Sequence, residues 1–367
     1  MLTMKKLAYV TSDYFIDVDI PIVTELNKHY ELLWIVHIKT GPGQRFSIKE
    51  VADFAKQESI QVIIKEITTR YRHPKQMLMD VRTIFKLRKF KAEICYFQTF
   101  FNPYLPLLAR LLLKVKTIVV GIHDVVPHKN FRSLLSRIND MLYLRMFKNY
   151  HFYSETQKSY YEQHYKKRNI LMARLFLKDY GPAKNVLQRN KINFLFFGVI
   201  QYYKGLDYLI EAANLLGKEF ENFNITVAGK CDDFERYRKL IEKPDLFDLS
   251  IKTIPNQEIP DLFANADFLV LPYRDVTQSG PLLIAYNYNI PVIASNFAGF
   301  REYIQDGKTG YLFEPGNPNA LFEVMKKTLL LPKPELETLK ENIRLFVQQE
   351  ISIEGIVNKY ISFFEKL

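Results

Sequence analysis

The sequence predicts an α/β protein made of two doubly wound parallel-sheet domains, and three observations predict it. Short β-branched or aromatic runs alternate with longer amphipathic stretches along most of the chain, the spacing of βαβ units. The runs are apolar throughout, as in TIVVGI, which suits strands covered on both faces. One polar segment near the middle, residues 178–191 (KDYGPAKNVLQRNK), holds Gly181 and Pro182 but no apolar period. That pattern marks a linker.

Taken in order, strands are expected at Lys6–Ser12, Glu31–Ile38, Gln61–Ile67, Ala92–Gln98, Lys116–Asp124 and His151–Glu155. Helical stretches fall between them, for example Pro74–Lys89 and Pro103–Leu113. After the linker the alternation restarts: INFLFFG, a helix over Lys204–Leu216, NITVAGK, a helix near Asp233–Ile241, LSIKTI, a helix near Pro260–Asn265, FLVLPY, a helix from Pro281, and PVIASN. In Ser352–Leu367 the residues Ile353, Ile356, Val357, Tyr360, Ile361 and Phe364 share one helical face. With 367 residues and roughly 150 per domain, the expected division is 1–180, 181–349 and a closing helix over 350–367. Ligands of such sheets bind beyond the carboxyl ends of the strands.

Composition narrows the function classes. Hydrophobic residues make up 48% and charged residues 25%, the balance of a globular protein. No run approaches the ~18 apolar residues of a spanning helix. The opening MLTMKKLAYVTSDYF reads as a first strand rather than a signal peptide. Two distant cysteines, Cys95 and Cys231, rule out a disulfide framework and a cysteine-built zinc site, and point to a reducing, cytoplasmic compartment. The net charge of +11 is lopsided: residues 1–180 hold 30 basic and 16 acidic side chains, against 21 and 24 in 181–367. A basic first half suits an anionic partner. Arg82, Lys86, Arg88 and Lys89, in a stretch that also carries Met77, Ile84 and Phe85, are candidates for meeting an anionic bilayer. No finger, RNP or helix-turn-helix pattern accompanies the charge, so nucleic acid is not expected.

Three segments carry candidate chemistry. GVIQYYKG (Gly198–Gly205) follows a strand and opens a helix. Its glycines admit close backbone approach, the helix start favours an anion, and Lys204 supplies a point charge for a phosphate. The segment lacks the spacing of a Walker loop. Gln278, Ser279 and Gly280 lie between a strand and the helix from Pro281, where backbone N–H groups form an anion cradle or Ser279 serves only as an N-cap. In NFAGFREYIQDGKTGYLFEPGNPNAL, Gly299 permits a tight turn before Arg301 and Glu302.

The order YKG–helix, QSG–helix–PVIAS–FAGFREYI–DGKTGYLFEPGNP resembles the C-terminal domain of family 4 glycosyltransferases with the GT-B fold. The likeness runs over about Phe194–Leu329. A weaker one covers GIHDVVPHKN (Gly121–Asn130). The resemblance implies two Rossmann-like domains facing a central cleft, and a retaining transferase that takes a sugar from a nucleotide diphosphate. It implies that Gly198, Lys204, Gln278 and the amides of Ser279, Gly280 and Pro281 hold the diphosphate sugar. The base would meet backbone near Gly229–Lys230 and Ile254–Asn256. A glycan or lipid-linked acceptor would meet the first domain, with His123 and Asp124 at the reacting centre and His128 beside an anionic acceptor. No cofactor and no metal are implied; the nucleotide sugar is the donor substrate, and fixed donors with a Lys stabilise the leaving diphosphate.

The chain departs from that pattern at several positions. Family members carry two glutamates flanking the diphosphate loop, and alignment of PLLIA places them at Val276 and Ile284. Val199 stands where an Arg is usual, and Gln201 at a second basic position. Sugar and ribose contacts then fall to Gln278, Tyr202 or Glu302. These departures keep a second reading open, a non-catalytic nucleotide-sugar-binding subunit of a transferase complex.

Overall fold

The computed structural model describes residues 4–41, 44, 46–68, 73–99, 104–113, 117–123, 125, 143–187 and 190–367. The chain forms two compact units: Met1–Phe176 together with Ser352–Leu367, and Leu177–Ile351.

The first unit is built on a seven-stranded, wholly parallel sheet of order β3-β2-β1-β4-β5-β6-β7. Its strands are β1 (Lys6–Ser12), β2 (Glu31–Lys39), β3 (Gln61–Ile67), β4 (Ile94–Phe97), β5 (Thr117–Ile122), β6 (Asn149–Phe152) and β7 (Asn169–Met172). The central strands are buried on both faces, β2 from Leu32 to Ile38 without a break. Edge strand β3 instead carries Lys65 and Glu66, charges that discourage pairing with another edge. The helices are α1 (Ile16–Leu26), α2 (Ile48–Gln57), α3 (Pro74–Phe90), α4 (Tyr104–Leu112) and α5 (Glu155–His164). The expected strand His151–Glu155 is corrected to β6. Ser154 ends it by capping α5, its Oγ accepting the Gln157 N–H at 3.3 Å, so Glu155 opens a helix instead.

The second unit has a six-stranded parallel sheet of order β10-β9-β8-β11-β12-β13. The strands are β8 (Ile192–Phe197), β9 (Phe223–Ala228), β10 (Phe247–Ser250), β11 (Phe268–Leu271), β12 (Val292–Ser295) and β13 (Gly310–Phe313). The helices are α6 (Leu206–Glu219), α7 (Glu235–Arg238), α8 (Ile259–Ala264), α9 (Gly280–Asn287), α10 (Ala298–Arg301), α11 (Pro318–Leu329) and α12 (Lys333–Glu350). The helix expected from Lys204 is split: Tyr202–Lys204 form one 3-10 turn, and α6 begins only after left-handed Gly205. The segment read as a linker has no helix or strand among its described residues, yet it is held down. Asp261 accepts the N–H groups of Lys184 and Asn185, and the Leu187 N–H donates to Asn265 at 2.7 Å.

The last helix, α13 (Ile353–Glu365), belongs to the first unit, where it packs on α1 and β7. Its buried face is Ile356, Val357, Tyr360 and Phe364, the i, i+1, i+4, i+8 pattern of an amphipathic helix.

Candidate active site

In each sheet the strand order reverses once, between β1 and β4 and between β8 and β11. A crevice opens at the carboxyl ends of the strands at such a point. In the second unit Gly198 follows β8, Gly229 follows β9, and Ser279–Gly280 come between β11 and α9. Gly198 and Gly229 sit at φ +103° and +156°, and a methyl built on Gly229 would lie 2.0 Å from the Gly198 carbonyl oxygen. Side chains are excluded there because the two backbones touch.

A methyl on Gly198 would also lie 2.8 Å from Nζ of Lys204 and 3.8 Å from Cγ of Pro281. Gly198, Lys204 and the first turn of α9 are therefore in one place. Lys204 is 7% exposed, and burial pushes its ammonium down to about 8. Its Nζ lies 5.7 Å from the centre of the Tyr273 ring, within cation–π range. Among the described residues no carboxylate pairs with it. A buried charge without a counter-ion is costly, and an anion in the crevice would remove that cost.

Ser279 caps α9, its Oγ accepting the Leu282 N–H at 3.5 Å, and Gly280 is the first residue of that helix. The expectation for Pro281 is corrected, since proline has no N–H and lends no donor; its ring packs toward Gly198 instead. The turn carrying Lys204 is fastened by Arg274, which the sequence reading passed over. Arg274 donates to Asp207 Oδ1 at 2.9 Å and to the Tyr202 carbonyl at 2.7 Å, and its N–H donates to the Tyr203 carbonyl at 2.7 Å. The guanidinium lies 4.1 Å from the Tyr202 ring centre and 4.0 Å from that of Tyr208. Tyr202 thus stacks on Arg274.

The remaining expected donor residues are more scattered. Lys230 is exposed and paired with Asp232 at 3.3 Å, while its carbonyl accepts the Ile200 N–H at 2.8 Å. Asn256 opens a 3-10 turn and is half-buried. Gln278 is half-buried in the loop before α9, and Glu302 is half-buried just after α10. Val276 and Ile284 are both buried.

In the first unit His123 follows β5, and its ring is stacked between Phe15, 4.2 Å away at 14°, and Tyr153, 4.1 Å away at 13°. Tyr153 belongs to a buried polar network. The Gln98 side-chain oxygen accepts from Tyr153 at 2.6 Å and lies 2.8 Å from the Tyr96 hydroxyl, and Tyr9 donates to Asp19 at 2.7 Å. Asp124 and His128 lie outside the described residues. Arg82, Lys86, Arg88 and Lys89 are exposed on α3, and burial, with the charges of Lys86 and Arg82, lowers the Lys65 pKa. The same helix exposes Met77, Leu78 and Phe85, and α4, packed on it, exposes Leu107 and Leu111. Among the described residues no three His, Cys, Asp or Glu side chains cluster as metal ligands would. Among the described residues no helix is long and apolar enough to cross a membrane.

The family model described as Glycosyl transferases group 1 matches residues 180–346. Over 182 residues the chain is 31% identical to an "uncharacterized 41.2 kDa protein in cps region" of Klebsiella pneumoniae, covering 50% of this chain and 48% of that protein. The chain spans about half the length of the curated relatives it matches. Among solved structures, a glycosyltransferase from Rickettsia africae superposes with a TM-score of 0.75 at 16% identity, over 99% of this chain and 98% of that one. Anabaena HepE, solved with UDP and glucose, gives 0.73 at 14% identity, over 99% and 100%. Residues 180–346 thus match the glycosyl transferases group 1 model, on a chain with the fold of the GT-B glycosyltransferases.

Proposed function

We propose that the protein is a glycosyltransferase that moves a sugar, with retention, from a nucleotide diphosphate sugar to a glycan or lipid-linked acceptor in polysaccharide or glycolipid biosynthesis. The observation that carries this reading is Lys204: a buried ammonium with no carboxylate among the described residues, set against the start of α9. Breaking the bond to a nucleotide diphosphate leaves negative charge on a phosphate oxygen. Lys204, itself buried, and the Gly280 N–H are the fixed donors for that charge on this reading. On this reading charge neutralisation is done by the protein, and turnover is independent of divalent metal. His123, stacked between the Phe15 and Tyr153 rings, is the residue proposed to act at the reacting centre. The solved complex of HepE with UDP and glucose and the relative from a cps region support the donor class and the pathway.

The acceptor side is assigned to the first unit at an anionic membrane surface, on the inner leaflet. Its support is the combination on α3 and α4 of exposed Leu78, Phe85 and Leu111 with Arg82, Lys86 and Lys89, the chemistry of an interfacial surface. Co-sedimentation with phosphatidylglycerol vesicles but not with phosphatidylcholine vesicles is the expected result. Equal or absent sedimentation with both removes the assignment.

The donor reading is tested by thermal shift with UDP, GDP, ADP and CMP, with and without EDTA. A rise in melting temperature with one diphosphate, unchanged by EDTA, is expected. No rise with any of them overturns it. The second reading, a binding subunit without turnover, is favoured by buried, apolar Val276 and Ile284. It predicts the same thermal shift but no sugar transfer by the purified chain.

A further inference from the structure

The first turn of α9 offers an anion less than a helix start ordinarily does. Of its first four positions Pro281 has no N–H, the Leu282 N–H is taken by Ser279 Oγ, and the Leu283 N–H by the Ser279 carbonyl at 3.4 Å. Gly280 alone keeps an N–H outside the helix's own bonds. A nucleotide diphosphate sugar brings two negative charges, and one helix end with one ammonium does not balance them. The structure supplies another cation at this point. The side chain of Lys178, a residue of the segment leading into the second unit, runs across the face of Gly280. A methyl built on Gly280 would lie 3.5 Å from its Cε and 3.6 Å from its Nζ. On the other side Lys204 Nζ and Pro281 Cγ both border Gly198, 2.8 Å and 3.8 Å from a methyl built there.

We propose that Lys178 is a second diphosphate-binding residue, so that the two phosphates of the donor are held between Lys204 and Lys178 across the Gly280–Pro281 turn. This rests on the donor reading given above. It also explains why position 280 is a glycine: a larger side chain would press on the lysine stem. Gly280→Leu is accordingly expected to weaken diphosphate binding without a new charge effect.

The test is calorimetric titration of the whole chain with UDP, GDP, ADP and inorganic pyrophosphate, then with the matching nucleoside monophosphate. Lys178→Met is expected to weaken the best-binding diphosphate at least tenfold, and to lower the slope of log affinity against log salt by about one. Its effect on the nucleoside monophosphate should be smaller, and Lys178→Arg should restore most of the loss. An unchanged melting temperature without ligand shows that the variant is folded. Wild-type affinity and salt slope in Lys178→Met overturn the proposal while leaving the donor reading intact. Failure of the wild type to bind any diphosphate overturns the donor reading itself, and this proposal with it.

Discussion

Gly198 and Lys204 define each other: the glycine leaves open the volume into which the lysine ammonium points, since a methyl on Gly198 would come within 2.8 Å of Nζ. The arrangement costs twice. Gly198 holds φ at +103°, where other residues are strained, and Lys204 is charged in a buried place. Gly198→Ala is therefore expected to destabilise the second unit by about 1–3 kcal/mol and to displace the ammonium. Diphosphate affinity should fall more than stability does, which titration alongside urea unfolding would show.

Lys204→Met should make the ligand-free protein more stable while removing its response to diphosphates. The folded-state pKa of about 8 lies below the ordinary 10.5, so at neutral pH the buried charge costs about 3 kcal/mol. The unfolded chain binds the extra proton between those values. Stability of the second unit therefore rises with pH from about 8 to 10.5 in the wild type and not in the variant. Differential scanning calorimetry at pH 7 and pH 9.5 checks both statements.

Acid should act on the first unit. All seven histidines fall in residues 29–164, and burial pushes both His37 and His151 down to about 3, against an ordinary 6.5. His151 is held neutral by its bonds: Nε2–H donates to the Ala173 carbonyl at 2.8 Å, and Nδ1 accepts from Tyr96 at 2.7 Å. The unfolded chain takes up these protons first, so stability is full above pH 6.5 and is lost as pH falls toward 3. The one tryptophan, Trp34, is buried in β2 of the same unit. Its fluorescence should report unfolding at progressively lower urea concentration below pH 6.5, and His151→Asn should flatten that dependence.

The last helix should stabilise the unit it left far behind in sequence. Tyr360 is 1% exposed and its hydroxyl reaches His151 Nδ1 at 3.2 Å and Tyr96 at 3.3 Å. Tyr360→Phe is expected to cost about 1 kcal/mol and Tyr360→Ala about 3–5. Both losses should appear in the Trp34 signal.

Much of the fold was legible because the strands are buried on both faces and read as unbroken apolar runs. Elements with mixed faces were not: α1 carries Asp17, Asp19 and an internal Pro21, and its Asp19 is buried only because Tyr9 and Thr11 donate to it. Short β7 (NILM) lacks any turn signal of its own. At the site, Gly198, Lys204 and Ser279–Gly280 were legible because each follows a strand at a helix start. Lys178 was not, since a lysine in a polar segment has no periodicity, and only the folded chain brings it to Gly280. Arg274 was not legible either, since its partners Asp207 and Tyr208 lie 66 or more positions earlier.

The measurement that bears most directly on the central claim is diphosphate affinity as a function of pH, from 6 to 10, in the wild type and in Lys204→Met. The ammonium must be protonated to bind, so wild-type affinity should hold steady to about pH 8 and then fall, by up to tenfold per pH unit. Lys204→Met should bind weakly at every pH. Affinity that ignores pH across this range, or that survives in Lys204→Met, would contradict the account.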